Sequence, residues 1–109
     1  MTQALGREFN DLLLGSIDET LTSMLSGAVV DALYDYLQRV HYISRGEVPY
    51  QLDLLSTTLE KIFGASAQPM TNAIARKFYV KLGLEFNPNG TLLEYVNGAK
   101  MKLQNSASK

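Results

Sequence analysis

The chain contains no cysteine and a single histidine, and its apolar residues never gather into a long run. Without cysteine, disulfides, zinc-thiolate sites and cysteine nucleophiles are excluded, and nothing about redox compartment follows. His41 stands alone, so neither a Ser-His-Asp arrangement nor a histidine-rich metal site is supported. Its ordinary role is that of a helix-end imidazole, which complements the dipole when charged. The longest leucine run, Leu12-Leu13-Leu14, falls far short of the ~20 apolar residues that a membrane-spanning helix needs. The N-terminus also lacks a basic stretch followed by an apolar one. A cytoplasmic chain with no membrane role is expected. Phosphate-binding glycine loops are missing as well, since Gly64 lacks the partners of a P-loop and no strand-to-helix unit surrounds it. These absences leave no catalytic constellation, no metal site and no call for a cofactor. The expectation is that the protein is not an enzyme.

What is present suits one small core. At 109 residues and 46% apolar composition, a single domain can close without metal or disulfide. The formal charge of −1 hides an asymmetry: residues 1–60 sum to −6 and residues 61–109 to +5. Such a split gives two surfaces for different partners, or two halves that attract one another across the core or between the subunits of a homodimer. Internal pairing and plain solvation are the simpler reading.

Apolar periodicity predicts an all-α single compact bundle of about five helices, with a helical domain over 16–103. Residues 1–15 carry Leu5, Phe9, Leu12 and Leu13 at helical spacing, interrupted by Gly6 and Gly15, and read either as a short docking helix or as a tail. Ser16-Ile17-Asp18-Glu19 has the form of a capping box and predicts a helix start at Ile17. A helix over 28–41 follows, then a loop over 42–50 containing Gly46 and Pro49, then a helix over 51–63 stopped by Gly64. Ser66 is the expected cap of a further helix, with Pro69 in its first turn and Gly83 at its end. Asn87-Pro88-Asn89-Gly90 marks a turn, Thr91-Leu92-Leu93-Glu94 is a second capping box, and residues 104–109 read as a flexible polar tail.

Two sets of polar residues stand out. On the 69–82 helix, Thr71, Ile74, Ala75, Phe78 and Leu82 share one side, while Gln68, Asn72, Arg76 and Tyr79 share another. Gln68, Asn72 and Arg76 are residue types that read base edges, and Lys77 and Lys81 flank them as phosphate contacts. The set therefore serves either a DNA-associated regulator using the 51–82 hairpin or a protein partner. Against nucleic acid stands the slightly acidic chain as a whole. On the preceding helix, Asp31 and Asp35 form an acidic outer face with Arg39 one turn on. The six tyrosines are expected at the rim of the core rather than in a stacking platform.

Six stretches are more specific than their periodicity. They are Ser16-Ile17-Asp18-Glu19-Thr20-Leu21, Ala32-Leu33-Tyr34-Asp35-Tyr36-Leu37, Glu47-Val48-Pro49, Leu59-Glu60-Lys61-Ile62-Phe63-Gly64, the run from Ile74 through Tyr79 and Gly83 to Leu84, and Glu94-Tyr95-Val96. Together these resemble a family of small archaeal all-helical proteins, the Nitrosopumilus-type output domain, over about residues 16–102. The Phe63-Gly64 stop and the Tyr79-to-Leu84 ending carry most of the likeness. The resemblance implies a signal-output module that acts by contacting another macromolecule. It brings no catalytic or ligand residue with it, and residues 1–15 lie outside it.

Overall fold

The computed structural model describes residues 2–107, with side chains over 6–104. Among the described residues five α-helices make up the fold: α1 (Thr2–Met24), α2 (Gly27–His41), α3 (Leu52–Phe63), α4 (Ala67–Leu82) and α5 (Leu92–Ala107). No strand occurs among the described residues, and none of their helices is long and apolar enough to cross a membrane. The all-α bundle expected from periodicity is the architecture observed. It is elongated, 43 × 26 × 20 Å along its principal axes.

Near the N-terminus the structure departs from the sequence reading. No helix begins at Ile17; α1 runs unbroken from Thr2 through both early glycines. Its buried residues, Phe9, Leu13, Ser16, Ile17, Thr20 and Leu21, keep one spacing throughout, so the stripe that begins before Gly15 continues after it. Burying that stripe outweighs the ~1 kcal/mol that a mid-helix glycine costs relative to alanine. Ser16 is accordingly no cap. Its hydroxyl donates back to the Leu12 carbonyl at 2.8 Å, inside the helix. The segment 1–15 is thus the front of a core helix as far as it is described, with the Phe9 ring edge-on to Phe78 of α4 at 4.9 Å. Met1 and the side chains of residues 1–5 lie outside the described residues.

The second capping box does form. Glu94 Oε1 accepts from the Thr91 N–H at 2.9 Å and Thr91 Oγ1 accepts from the Glu94 N–H at 3.2 Å. The same motif has opposite outcomes because the Asn87–Gly90 turn has already broken the chain before Thr91, whereas periodic apolar residues precede Ser16. At the other end, α5 continues to Ala107, past the expected tail boundary at 104; residues 108–109 lie outside the described residues.

Between these ends the chain turns sharply. Ser26 caps α2 by accepting from the Val29 N–H at 3.3 Å. A 3-10 turn over Arg45–Tyr50 occupies the expected loop, opened by a box in which Glu47 Oε1 accepts from the Ser44 N–H at 2.8 Å. Gly64 takes φ 60, ψ −130, a conformation only glycine adopts at ease, and feeds a second 3-10 turn straight into α4. Consequently α4 starts at Ala67 with no side-chain cap, and Ser66 stays in the helical region. Gly83 closes α4 in the left-handed conformation at φ 72, as its position in the sequence indicated.

The core is organised around α4, which buries Ala67, Met70, Thr71, Ile74, Ala75, Phe78 and Tyr79 against α1, α3 and α5. By contrast α2 stands at the edge, where it buries only Val30, Leu33 and Leu37.

Candidate functional site

The five polar residues singled out on α4 do not form one surface. Successive helix faces meet different neighbours, and the row divides accordingly. Lys77 and Lys81 turn to α1, where both approach the carboxylate of Glu19, at 3.7 and 3.1 Å. The hydrogen bond from Lys81, followed by the charges of Lys81 and Lys77, holds the Glu19 carboxyl below its ordinary value. Part of the charge asymmetry between the two halves of the chain is therefore neutralised within the bundle.

Asn72, Arg76 and Tyr79 turn to α5 and to the segment 84–91 that leads into it. Tyr79 is buried and its hydroxyl donates to the Tyr95 carbonyl at 2.6 Å. Burial, with a smaller contribution from Tyr95, pushes its phenol above the ordinary value. The Tyr95 hydroxyl accepts from the Gly90 N–H at 2.8 Å and donates to Asn72 Oδ1 at 3.3 Å. Arg76 lays its guanidinium over the Phe86 ring, 5.3 Å from the centroid. Of the five, only Gln68, exposed at the start of the helix, has no side-chain hydrogen bond, ion pair or ring contact among the described residues. Three of the five residues taken as base or phosphate contacts are thus tied to neighbouring helices, and Arg76 is stacked.

This arrangement creates a hollow that the residue pattern had not indicated. Tyr79, Phe86 and Tyr95 form an angular cluster, with centroids 5.2 and 4.8 Å apart and planes inclined at 68° and 64°. Glu85, Glu94 and Lys102 stand around it, beside an open hollow of about 500 Å³. Phe86 is the residue sequence reasoning missed. Its signal was the alternation Leu84-Glu85-Phe86, which buries the outer two side chains in part and exposes the middle one without any strand.

A second concavity lies between α2 and α3. Val29, Ala32, Leu33 and Tyr36 face Ile62 and Phe63 across an apolar groove of about 320 Å³. Val29, Val40 and Ile62 are 42%, 47% and 54% exposed, high for aliphatic side chains on helices that also feed the core. Asp31 and Asp35 lie on the outer face of α2, turned away from the groove, where Asp35 accepts from Arg39 at 2.7 Å; Asp31 has no ion-pair partner among the described residues.

Among the described residues no cluster of three or more His, Cys, Asp or Glu stands where it could hold a metal ion. Comparison with known protein families, with characterised proteins and with solved structures finds no match to the chain.

Proposed function

We propose that the chain is a non-enzymatic interaction domain of a regulatory or signal-output kind, working in the cytoplasm through contact with a protein partner. The signal-output part rests on the family resemblance. The observation that carries the rest is the apolar groove between α2 and α3, with Val29 and Ile62 at its edges. Bringing apolar side chains into such a groove removes water from both surfaces and favours association by about 25 cal/mol per Å² of apolar area buried.

The alternative, a small DNA-associated regulator built on the 51–82 hairpin, has less to stand on. A recognition helix must offer one free face to the groove, whereas Asn72 bonds to Tyr95 and both lysines pair with Glu19.

A photo-crosslinking residue in place of Ile62, in the full chain expressed in its native cells, tests the proposal. A discrete adduct with another protein, lost when Val29 is also changed to Asp, is the expected result. No adduct, or one that persists in Val29→Asp, overturns it. An adduct between two copies of the chain replaces the foreign partner with a homodimer.

A further inference from the structure

The turn that leads into α5 carries a chemically labile pair, away from the α2–α3 groove. Asn89-Gly90 and Asn97-Gly98 repeat one dipeptide within a short stretch, and Asn87 stands before Pro88. We infer that Asn89 is a site of spontaneous modification, where the folded chain converts its side-chain amide to a carboxylate while Asn97 is spared.

The reaction needs only the chain and water. The Gly90 amide nitrogen gives up its proton and attacks the side-chain carbonyl carbon of Asn89, Cγ. The N–Cγ bond forms, the Cγ–Nδ2 bond breaks, and the amide group leaves with the proton as ammonia. Water then opens the resulting succinimide at either carbonyl. Opening at Cγ gives aspartate, whereas opening at the main-chain carbonyl leaves the chain running through Cβ as isoaspartate. Glycine on the C-terminal side favours ring closure, because a residue without Cβ leaves its nitrogen unhindered and its backbone free to turn. Asn87 has no such route, since the Pro88 nitrogen carries no hydrogen.

Backbone structure separates the two Asn-Gly pairs. Ring closure swings the glycine nitrogen up to the asparagine side chain, a rotation about the asparagine ψ. Asn97 lies inside α5, where ψ is held at the helical value and the Gly98 N–H is directed to the carbonyl four residues earlier. Gly98 also packs against α4: a Cβ there would meet the Tyr79 hydroxyl at 3.2 Å, and that hydroxyl is fixed to the Tyr95 carbonyl. Attack at Asn97 therefore requires α5 to open. Asn89 is exposed on a segment outside any helix, and it makes no hydrogen bond among the described residues. Gly90 is held by one contact, from its N–H to the Tyr95 hydroxyl at 2.8 Å. Releasing one such bond slows attack by about two- to tenfold, whereas opening a packed helix slows it by orders of magnitude.

The product changes its surroundings. Asn89 lines the open hollow with Glu85, Glu94 and Lys102, so a new carboxylate raises the negative charge there. An isoaspartyl link also lengthens the backbone just before Thr91, whose hydroxyl and N–H form the box that opens α5.

Prolonged incubation of the full chain near neutral pH tests the inference, with one sample folded and one held in guanidinium chloride. A Glu-specific protease, used at mildly acidic pH where conversion is slow, cuts between Glu94 and Tyr95 and puts Asn89 and Asn97 on different peptides. Mass spectrometry reads the exchange of NH2 for OH, and fragment ions assign it to Asn87, Asn89 or Asn97. In the folded chain Asn89 should convert at least about tenfold faster than Asn97, whereas in denaturant the two should convert at similar rates. Asn89→Gln, which would have to close a larger ring, should remove the change from its peptide. The inference is overturned if folded Asn89 keeps its amide over a period that converts it in denaturant, or if Asn97 keeps pace with it in the folded chain. A change placed at Asn87 rather than Asn89 also overturns it, since Pro88 cannot close the ring.

Discussion

Changing Phe9 to alanine puts the unbroken first helix to the test. The ring is 2% exposed and stands edge-on to Phe78 at 4.9 Å, so truncation removes a full aromatic burial and one ring pair. Buried Phe→Ala changes cost about 3–5 kcal/mol, of which a pair of this geometry accounts for about 0.5–1.5 kcal/mol. Because Phe9 lies in the front half of α1, fraying of residues 2–12 offers partial relief, and the lower end, about 3 kcal/mol, is the working estimate. Urea unfolding followed by helical circular dichroism measures it. With an m-value of about 1–3 kcal/mol/M, the midpoint should fall by about 1 M or more at constant m. Glu8→Ala, at the exposed neighbouring position, should leave the midpoint unchanged. A double-mutant cycle with Phe78→Ala should return a coupling of about 0.5–1.5 kcal/mol. If Phe9→Ala stays within about 0.5 kcal/mol of the wild type, the value expected for a surface change, residues 2–15 do not belong to the core helix and the reasoning fails.

Three further substitutions probe the same framework. Thr20 is buried with its hydroxyl unpaired, so Thr20→Val, which keeps the shape and removes the desolvated group, should raise stability by about 1 kcal/mol in the same unfolding assay. Gly15 is mid-helix, and a methyl group there would meet Lys81 Nζ at an ordinary 3.5 Å; Gly15→Ala should therefore stabilise by about 0.5–1 kcal/mol. Burial pushes the Tyr34 phenol from 10.0 up to about 12. The folded chain then keeps a proton that the unfolded chain releases, and stability, intact below pH 10, declines as pH rises toward 12. The full shift corresponds to about 2–3 kcal/mol, less at a half-buried site. Tyr34→Phe, though weaker at neutral pH through loss of the bond to Asp18, should show a flatter decline over that window.

Much of this fold was legible because each local signal had no competitor. Gly83 stops α4 where the apolar stripe ends, and the Thr91 box opens α5 directly after a turn. Ser16 shows the limit of such signals. The same motif inside a continuing apolar stripe is absorbed into the helix, because burying Phe9 and Leu13 is worth more than a cap. Ser44-Arg45-Gly46-Glu47 shows the converse, a box overlooked within a loop composition that opens a 3-10 turn. The candidate site was harder to read. Gln68, Asn72, Arg76 and Tyr79 share a side of α4 as the period requires, but a period cannot tell solvent from another helix. Tyr95, on α5, supplies the hydroxyl that meets Asn72 and the carbonyl that accepts from Tyr79, and Phe86 supplies the ring under Arg76. The Asp31–Asp35 face was legible as exposed, whereas the neighbouring groove needed Ile62 and Phe63 brought across from α3.

The proposal treats α4 as a structural helix and assigns partner contact to protein rather than nucleic acid. Light-scattering mass of the purified chain, at low and high salt, with and without a generic DNA duplex, tests it most directly. The predicted result is a mass unaffected by DNA at either salt concentration. A DNA-bound mass at low salt that disappears as salt rises, and is lost on changing Arg76 and Lys77 to Glu, would contradict it, since phosphate contacts weaken steeply with salt.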